Sequence, residues 1–165
     1  MASTARVGIV MGSRSDWPVM KGAKEVLEGF GVRCEVRVLS AHRSPEASCA
    51  YARAASSRGL GVLIAGAGGA AHLPGVLAAH TIVPVIGVPV ANGPLAGVDA
   101  LLAIVQMPRG IPVATVGIGR ADNAGLLAVA MLGLGDPELR ARLEAYRRDL
   151  TADAEAADRA LQDEL

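Results

Sequence analysis

Short apolar runs alternate with helical patterns of apolar and polar residues along most of the chain. The runs are four to six residues long and rich in Val and Ile, which is typical of buried strands. This alternation predicts strands at 7–11, 34–39, 61–65, 83–88 and 113–116, and helices at 17–30, 45–58, 73–79, 97–105 and 123–134. Asp16 and Ser44 are expected to cap the first two helices, which have Pro18 and Pro45 in their first turns.

The alternation of strands and helices predicts the fold class. Continuous apolar strands separated by helices indicate a parallel sheet that is covered on both faces. Five such strands favour a flavodoxin-like α/β three-layer sandwich. In sheets of this kind ligands bind beyond the carboxyl ends of the strands, so the loops that follow the strands are where we look for chemistry.

The last thirty residues form a separate pattern. Asp136, Pro137 and Glu138 are a strong helix start, and apolar residues recur at helical spacing as far as Leu161. We therefore divide the chain into a catalytic body, residues 1–135, and a long terminal helix, residues 136–165, within a single domain overall. The helix lies either on its own body or on a neighbouring subunit, and its length favours the neighbour.

Composition narrows the function classes. The chain is 52% hydrophobic and carries 16 basic and 16 acidic residues, which excludes an intrinsically disordered protein and argues against a nucleic-acid-binding surface. Residues 59–98 contain no charged side chain, but Gly and Pro interrupt them too often for the ~20-residue apolar span of a membrane helix. Two cysteines suit a reducing cytoplasm, and residues 1–12 lack the pattern of a signal peptide.

The loop after the first predicted strand has the composition of an anion site. It reads Gly-Ser-Arg-Ser-Asp-Trp over residues 12–17. Glycine lets the backbone approach a ligand, and Ser13 with the following helix N-terminus offers donors to a phosphate. Asp16 could hold a ribose hydroxyl, although turn and cap roles are commoner for each of these residues alone. The loop matches neither a P-loop nor a dinucleotide-binding fingerprint.

The loop after the second strand places a histidine beside an arginine, in the segment Ser-Ala-His-Arg-Ser-Pro over residues 40–45. The guanidinium of Arg43 offers a planar fork for phosphate, and the imidazole of His42 can exchange a proton near neutral pH. An exposed loop histidine with a surface arginine is the equally weighted alternative.

The loop after the third strand, residues 66–75, consists almost entirely of small residues around His72. Small residues allow close backbone approach, and consecutive N–H groups could cradle an anion or a carboxylate. A structural role is usual for a histidine in an apolar run, but His72 would be a second imidazole at the same sheet edge. His80 is expected to be structural.

Other chemistries fit less well. The histidines and cysteines lack zinc-binding spacing, and no Gly-x-Ser-x-Gly segment is present to carry a hydrolase nucleophile. Four aromatic residues are too few to favour a flavin site. The remaining interpretation is a phosphorylated small molecule with proton transfer by histidine, and neither a metal nor a flat cofactor.

The loops together resemble those of a known family. The segments GSRSDWPVM, SAHRSPE, AGAGGAAHLPGVLAAHTIVPVIGVPV and IVQMPRGIPVATVGIG are similar to the PurE family of purine biosynthesis. The resemblance implies a flavodoxin-like homo-octamer in which the terminal helix packs on a neighbour. It also implies an isomerase that moves a carboxylate from N5 of the imidazole ribonucleotide to ring carbon C4, without ATP, metal or organic cofactor. A hand-off from the enzyme that makes the N5-carboxylated ribonucleotide is a further expectation.

The resemblance assigns roles to individual positions. Ser13 and Arg43 match the positions that hold the phosphate, Asp16 matches the one that holds the ribose hydroxyls, and His42 matches the catalytic imidazole. Positions that line the base and carboxylate are matched by Ser40, Gly68, His72 and Leu73.

The chain departs from the commoner family pattern at residues 91–94, where a Gln-Ser or Glu-Ser pair is usual, and in the short segment 119–123. Two alternatives stay open: direct carboxylation of aminoimidazole ribonucleotide with carbon dioxide, and a non-catalytic nucleotide-binding module.

Overall fold

Five parallel strands form a single sheet at the centre of the protein. The computed structural model describes residues 6–165, so the first five residues of the predicted body lie outside the described residues. The strands are β1 (Val7–Met11), β2 (Cys34–Val38), β3 (Val62–Gly68), β4 (Val85–Val90) and β5 (Ala114–Thr115). Their order across the sheet is β2-β1-β3-β4-β5, and every neighbouring pair is parallel. This is the flavodoxin-like strand order, and it confirms the predicted fold class.

Helices cover both faces of the sheet. They are α1 (Trp17–Gly29), α2 (Pro45–Ala54), α3 (Leu73–Ala78), α4 (Val98–Val105), α5 (Ala121–Gly133) and α6 (Pro137–Glu164). One core lies between the sheet and α1, α5 and the start of α6; the other lies under α2, α3 and α4. Alternate β1 residues serve the two cores, with Ile9 in the first and Val10 in the second. Among residues 6–165, no helix combines the length and apolarity needed to cross a membrane.

The third strand extends beyond its predicted end. The sequence pattern predicted a loop from residue 66, but Gly66 and Gly68 continue β3 and pair with Val88 and Val90 of β4. A Cβ on Gly66 would stand 2.3 Å from Sδ of Met20. The glycine therefore leaves room for the buried side chain of Met20, which a Cβ at this position would displace.

Asp16 and Ser44 stand at the N-cap positions of α1 and α2, as predicted, but neither side chain forms a cap hydrogen bond to its helix. The Asp16 side chain makes no cap hydrogen bond to α1; instead its Oδ2 accepts from the N–H of Ser13, at 3.2 Å, across the single 3-10 turn at Arg14–Asp16. Ser44 makes no side-chain cap bond to α2, because its hydroxyl bonds the backbone of Ser40 in the loop before it. The short polar side chains therefore shape the two loops, and the helices begin without their help.

The terminal helix α6 packs on the body only at its beginning. Asp136 caps it as predicted, accepting from the N–H of Leu139 at 3.1 Å, and also pairs with Arg6. Leu139 is buried, and Leu143 and Tyr146 are partly buried against the same core. Every residue from 147 onward is exposed. Tyr146 is the last partly buried residue of α6, and the helix ends at Glu164. Because a helix rises about 1.5 Å per residue, the exposed part extends roughly 27 Å beyond Tyr146.

We expect Gly125→Ala to destabilise the protein and Gly133→Ala, in the same helix, to stabilise it. A Cβ at Gly125 would lie 2.9 Å from Cβ of Val26 and 3.0 Å from the carbonyl oxygen of Ala23, so α1 and α5 must separate, at a cost of about 1–3 kcal/mol. A Cβ at Gly133 meets nothing closer than 3.6 Å, so better helix propensity adds about 0.5–1 kcal/mol. Urea unfolding measures both, and equal effects at the two positions would contradict this account of the close approach.

Candidate active site

A cleft of about 320 Å³ opens at the carboxyl ends of β1, β2 and β3. The loops that follow these strands supply nearly all of its lining, as parallel strands bring their carboxyl ends to one edge. All eight site residues predicted from the sequence line it: Ser13, Asp16, Ser40, His42, Arg43, Gly68, His72 and Leu73. The structure therefore brings all the predicted residues together in one cleft.

The first loop is held by hydrogen bonds among Ser13, Ser15 and Asp16. Oγ of Ser13 accepts from the N–H of Ser15 at 3.2 Å and from the Ser15 hydroxyl at 2.8 Å. The N–H of Ser13 in turn donates to the Asp16 carboxylate. This capping box fixes two hydroxyls and one carboxylate at the mouth of the cleft, beside the start of α1.

The carboxyl group of Asp16 is buried, with only 6% of the residue exposed. Burial raises the pKa of Asp16 above its usual value, because the charged form loses water. The Ser13 N–H, the Ser15 hydroxyl and the charge of Arg43 act in the opposite direction and only partly offset this. Asp16 thus has a cost to folding in its ionised form, which marks it as a residue kept for something other than stability.

The arginine of the second loop joins the first two loops. Nη2 of Arg43 donates to the carbonyl oxygen of Gly12 at 2.7 Å, and Nε donates to Oγ of Ser40 at 3.3 Å. The N–H of Arg43 also donates to Oγ of Ser40. One edge of the planar guanidinium is therefore hydrogen-bonded to protein, and its remaining N–H donors are left for a ligand in the cleft.

Two imidazoles meet at the centre of the cleft. Nε2 of His42 lies 2.7 Å from Nδ1 of His72, and the two rings are nearly perpendicular at 88°. A hydrogen bond between two ring nitrogens needs one proton between them, so one ring donates and the other accepts. The pair can accordingly hold a single proton in a fixed place, and both side chains face solvent in the chain.

The third loop turns sharply beside this pair. Gly69 and Ala71 have φ of 60° and 47°, in the left-handed region that Ala rarely adopts. The turn is closed by a bond from the N–H of Ala71 to the carbonyl oxygen of Gly68, at 3.2 Å. Leu73 is 2% exposed and anchors the end of the loop. Strain at a non-glycine residue inside a cleft is typical of functional sites.

Two polar residues line the cleft that were not among the predicted site residues. Ser15 belongs to the first loop, which the sequence predicts as an anion site, although of its two serines only Ser13 was named as a site residue; the Ser-x-Ser spacing around Arg14 was the available signal. Asn92 comes from the segment after β4. That segment had been noticed only as a departure from the family pattern, and no one-dimensional signal placed it beside Gly68.

A larger groove of about 1100 Å³ lies at the opposite edge of the sheet, where β4 and β5 begin. Its lining is mostly apolar, with Arg53 as the charged side chain. His80 lies there too, and its Nδ1 approaches the carbonyl oxygen of Val76 at 2.9 Å. No group of three His, Cys, Asp or Glu residues within 6–165 is placed to hold a metal ion. The smaller cleft is the candidate because the predicted site residues, including two histidines, Asp16 and Arg43, converge there.

We expect Asp16→Asn to gain stability relative to the parent protein as pH rises. Because burial raises the pKa of Asp16 in the folded state, its stabilising contribution is present below the unfolded pKa, near 3.9, and is lost as pH rises through the folded value. Asp136→Asn is the matched control with the opposite sign. The Arg6 guanidinium and the Leu139 N–H lower the pKa of Asp136, so its contribution is present above the unfolded pKa and lost as pH falls.

Urea unfolding of the three proteins between about pH 3 and about pH 7 gives the two difference curves. A curve for Asp16→Asn that stays flat, or that slopes in the same direction as the curve for Asp136→Asn, would contradict the burial cost.

A family model described as AIR carboxylase matches residues 6–153 of the chain. The chain is 62% identical to an N5-carboxyaminoimidazole ribonucleotide mutase of Mycobacterium tuberculosis, over 95% of the chain and 90% of that protein. It is 61% identical to a protein of the same name from Pyrococcus abyssi, over 88% of the chain and 83% of that protein.

The fold also matches a solved structure. The crystal structure of Treponema denticola PurE superposes with a TM-score of 0.84, covering 94% of this chain and 97% of that chain at 27% sequence identity. Sequence and structure therefore agree on the family.

Proposed function

The chain belongs to the AIR carboxylase family, and we infer that it is an isomerase that acts on N5-carboxyaminoimidazole ribonucleotide in purine biosynthesis. It moves the carboxylate from N5 to ring carbon C4 and yields 4-carboxy-5-aminoimidazole ribonucleotide. The predicted resemblance to the PurE family is confirmed. In the site itself, the observation that carries this function is the contact between the imidazoles of His42 and His72, in the same cleft as the guanidinium of Arg43.

The phosphate and ribose are assigned to the loops after β1 and β2. Arg43 and Ser13 hold the phosphate, since a guanidinium and a hydroxyl at a helix N-terminus favour a dianion. Asp16 holds the ribose hydroxyls, because a carboxylate accepts from a hydroxyl but repels a phosphate. The burial of Asp16 supports this, as a buried acceptor gains most from a partner that restores its lost hydrogen bonds.

The imidazole ring and the carboxylate are assigned to the loop between β3 and α3. Ser40, Gly68 and Leu73 line that part of the cleft, with small residues between them. The carbamate at N5 is labile, so the carbon dioxide that it releases must stay close to C4. Small apolar walls serve this by excluding water and by keeping the gas in reach of the ring.

His42 carries the proton through the reaction. The bond between N5 and the carboxyl carbon breaks, the bonding electrons stay on N5, and His42 supplies the proton that this nitrogen takes up. The electron-rich C4 of the aminoimidazole then attacks carbon dioxide and forms the new C–C bond. His42 finally removes the proton from C4, so one group acts first as acid and then as base, and the proton balance closes.

His72 is a positioning residue in this scheme. Its Nδ1 is bonded to Nε2 of His42, so it fixes the ring orientation and sets which nitrogen of His42 carries the proton. The edge-on arrangement at 4.9 Å between ring centroids leaves the other edge of His42 available to the substrate.

The function is tested by offering the pure protein N5-carboxyaminoimidazole ribonucleotide and, separately, aminoimidazole ribonucleotide with bicarbonate. Rapid conversion of the first without metal or ATP supports the mutase. The second substrate is included because the matching family model is described as AIR carboxylase. If only the mixture of aminoimidazole ribonucleotide and bicarbonate is converted, the chain is a direct carboxylase. If neither substrate is converted, the chain is a non-catalytic binding module.

We also propose that the protein is a homo-octamer in which the exposed part of α6 packs on a neighbouring subunit. The exposed apolar side chains support an assembly: Leu150 and Leu161 on α6, and Val98, Leu102 and Val105 at helical spacing on α4. Light scattering after size-exclusion chromatography gives the subunit number. A mass of one chain at micromolar concentration would contradict the assembly.

The substrate is a labile carbamate. We therefore propose that the synthetase that makes this substrate passes it directly to this enzyme.

The cytoplasm is the proposed compartment, since Cys34 and Cys49 are both unbridged thiols.

A further inference from the structure

Asn92 lines the active-site cleft and belongs to the segment after β4, which supplies none of the predicted site residues. It lies two residues beyond the end of β4, and β4 pairs with β3 as far as Val90 opposite Gly68. A Cβ built on Gly68 would stand 2.9 Å from Cβ of Asn92 and 3.5 Å from its Nδ2. The Asn92 side chain therefore lies directly over Gly68, and the missing side chain at Gly68 is what gives it room.

Asn92 is an exposed residue of the cleft lining. Among residues 6–165, its side chain forms no hydrogen bond to another protein group, so its two N–H donors and one acceptor are open to water or to a ligand. Its neighbours in the cleft wall, Ala67, Ala70 and Ala71, have no polar side-chain atoms. The described charged groups of the cleft, Asp16 and Arg43, belong to the loops after β1 and β2.

Apart from the imidazoles of His42 and His72, this wall offers a bound carboxylate only neutral donors. Backbone N–H groups of the third loop are one source, and the Asn92 amide beside Gly68 is another. We propose that Asn92 is a specificity-determining residue, whose Nδ2 donates to the migrating carboxylate and thereby distinguishes carboxylated from uncarboxylated ribonucleotide. The inference rests on the proposed function and adds a contact from the segment after β4 to those of the loops after β1, β2 and β3.

The test compares Asn92→Asp and Asn92→Ala with Asn123→Asp, an exposed asparagine of α5 that lies outside the cleft and undergoes the same charge change. Calorimetric titration with 4-carboxy-5-aminoimidazole ribonucleotide and with aminoimidazole ribonucleotide gives the two affinities of each protein. Asn92→Asp should bind the carboxylated ligand about tenfold more weakly, by like-charge repulsion, and Asn92→Ala about threefold more weakly. Both should bind the uncarboxylated ligand as the parent does, which also shows that they are folded.

The outcomes separate this inference from the function on which it rests. If the parent protein binds both ligands but Asn92→Asp weakens both equally, or weakens neither, the role of Asn92 is overturned and the function stands. If Asn92→Asp weakens binding of the carboxylated ligand only, but Asn92→Ala binds that ligand as the parent does, Asn92 lies near the carboxylate without a hydrogen bond to it. This result also overturns the role of Asn92. If the parent binds neither ligand, the proposed function fails and this inference falls with it.

Discussion

His42→Asn is expected to lower turnover of N5-carboxyaminoimidazole ribonucleotide by ~10²-fold or more while ligand affinity stays close to that of the parent protein. Asparagine is polar and fits in the space of the imidazole, but its amide ends near the position of Nδ1 and does not reach His72, whose Nδ1 lies 2.7 Å from Nε2 of His42. It cannot take up and release a proton near neutral pH. The loss therefore falls on the two proton transfers and spares the contacts that hold the phosphate and the ribose.

The matched control is His80→Asn, at the opposite edge of the sheet. The ring of His80 is bonded to the backbone of Val76 and touches no cleft residue, so we expect normal turnover. Steady-state rates and calorimetric affinities of both variants make the comparison. Near-normal turnover in His42→Asn removes His42 from the mechanism, and an equal loss in both variants points to a general folding defect.

Much of this architecture could be predicted from the sequence because β1, β3 and β4 are apolar throughout, while the partly exposed β2 still alternates apolar and charged residues. β1 was predicted with its observed bounds, and all five strands were located, because buried parallel strands leave a continuous hydrophobic signal. The error at the end of β3 arises because glycine is common in loops but also occurs in strands where a neighbouring side chain needs the space. Gly66 and Gly68 indicate a loop by composition, yet in the structure they are strand residues that make room for Met20 and Asn92.

The site was predictable as far as its residues follow strands directly. Loops after adjacent parallel strands must meet at one edge, and this placed His42 and His72 together before their contact was known. Partner choice was not predictable. Whether the hydroxyl of Ser44 caps a helix or bonds Ser40 depends on loop geometry, and the reach of Asn92 depends on how far β4 extends beside β3. Such contacts are set by three-dimensional approach, which a one-dimensional pattern does not carry.

Arg43→Ala is expected to weaken binding of the ribonucleotide about 10- to 100-fold, because a charge-assisted hydrogen bond contributes about 1.5–3 kcal/mol. The side chain has two tasks in the structure. It supplies free guanidinium donors to the cleft, and it joins the first loop to the second through Gly12 and Ser40. Loss of the phosphate contact accounts for the weaker binding, and loosening of the loops adds to it.

Arg43→Lys separates these tasks. Lysine keeps the positive charge but has a single ammonium group, which cannot bond Gly12, Ser40 and a phosphate in one plane as the fork does. We expect affinity between those of the parent and Arg43→Ala, with a steeper salt dependence, since the remaining attraction is that of a point charge. Calorimetric titrations at low and high salt give both quantities. If Arg43→Ala binds the ribonucleotide as tightly as the parent protein, the phosphate lies elsewhere in the cleft. If Arg43→Lys matches the parent at both salt concentrations, charge alone suffices and the planar fork has no role in holding the phosphate.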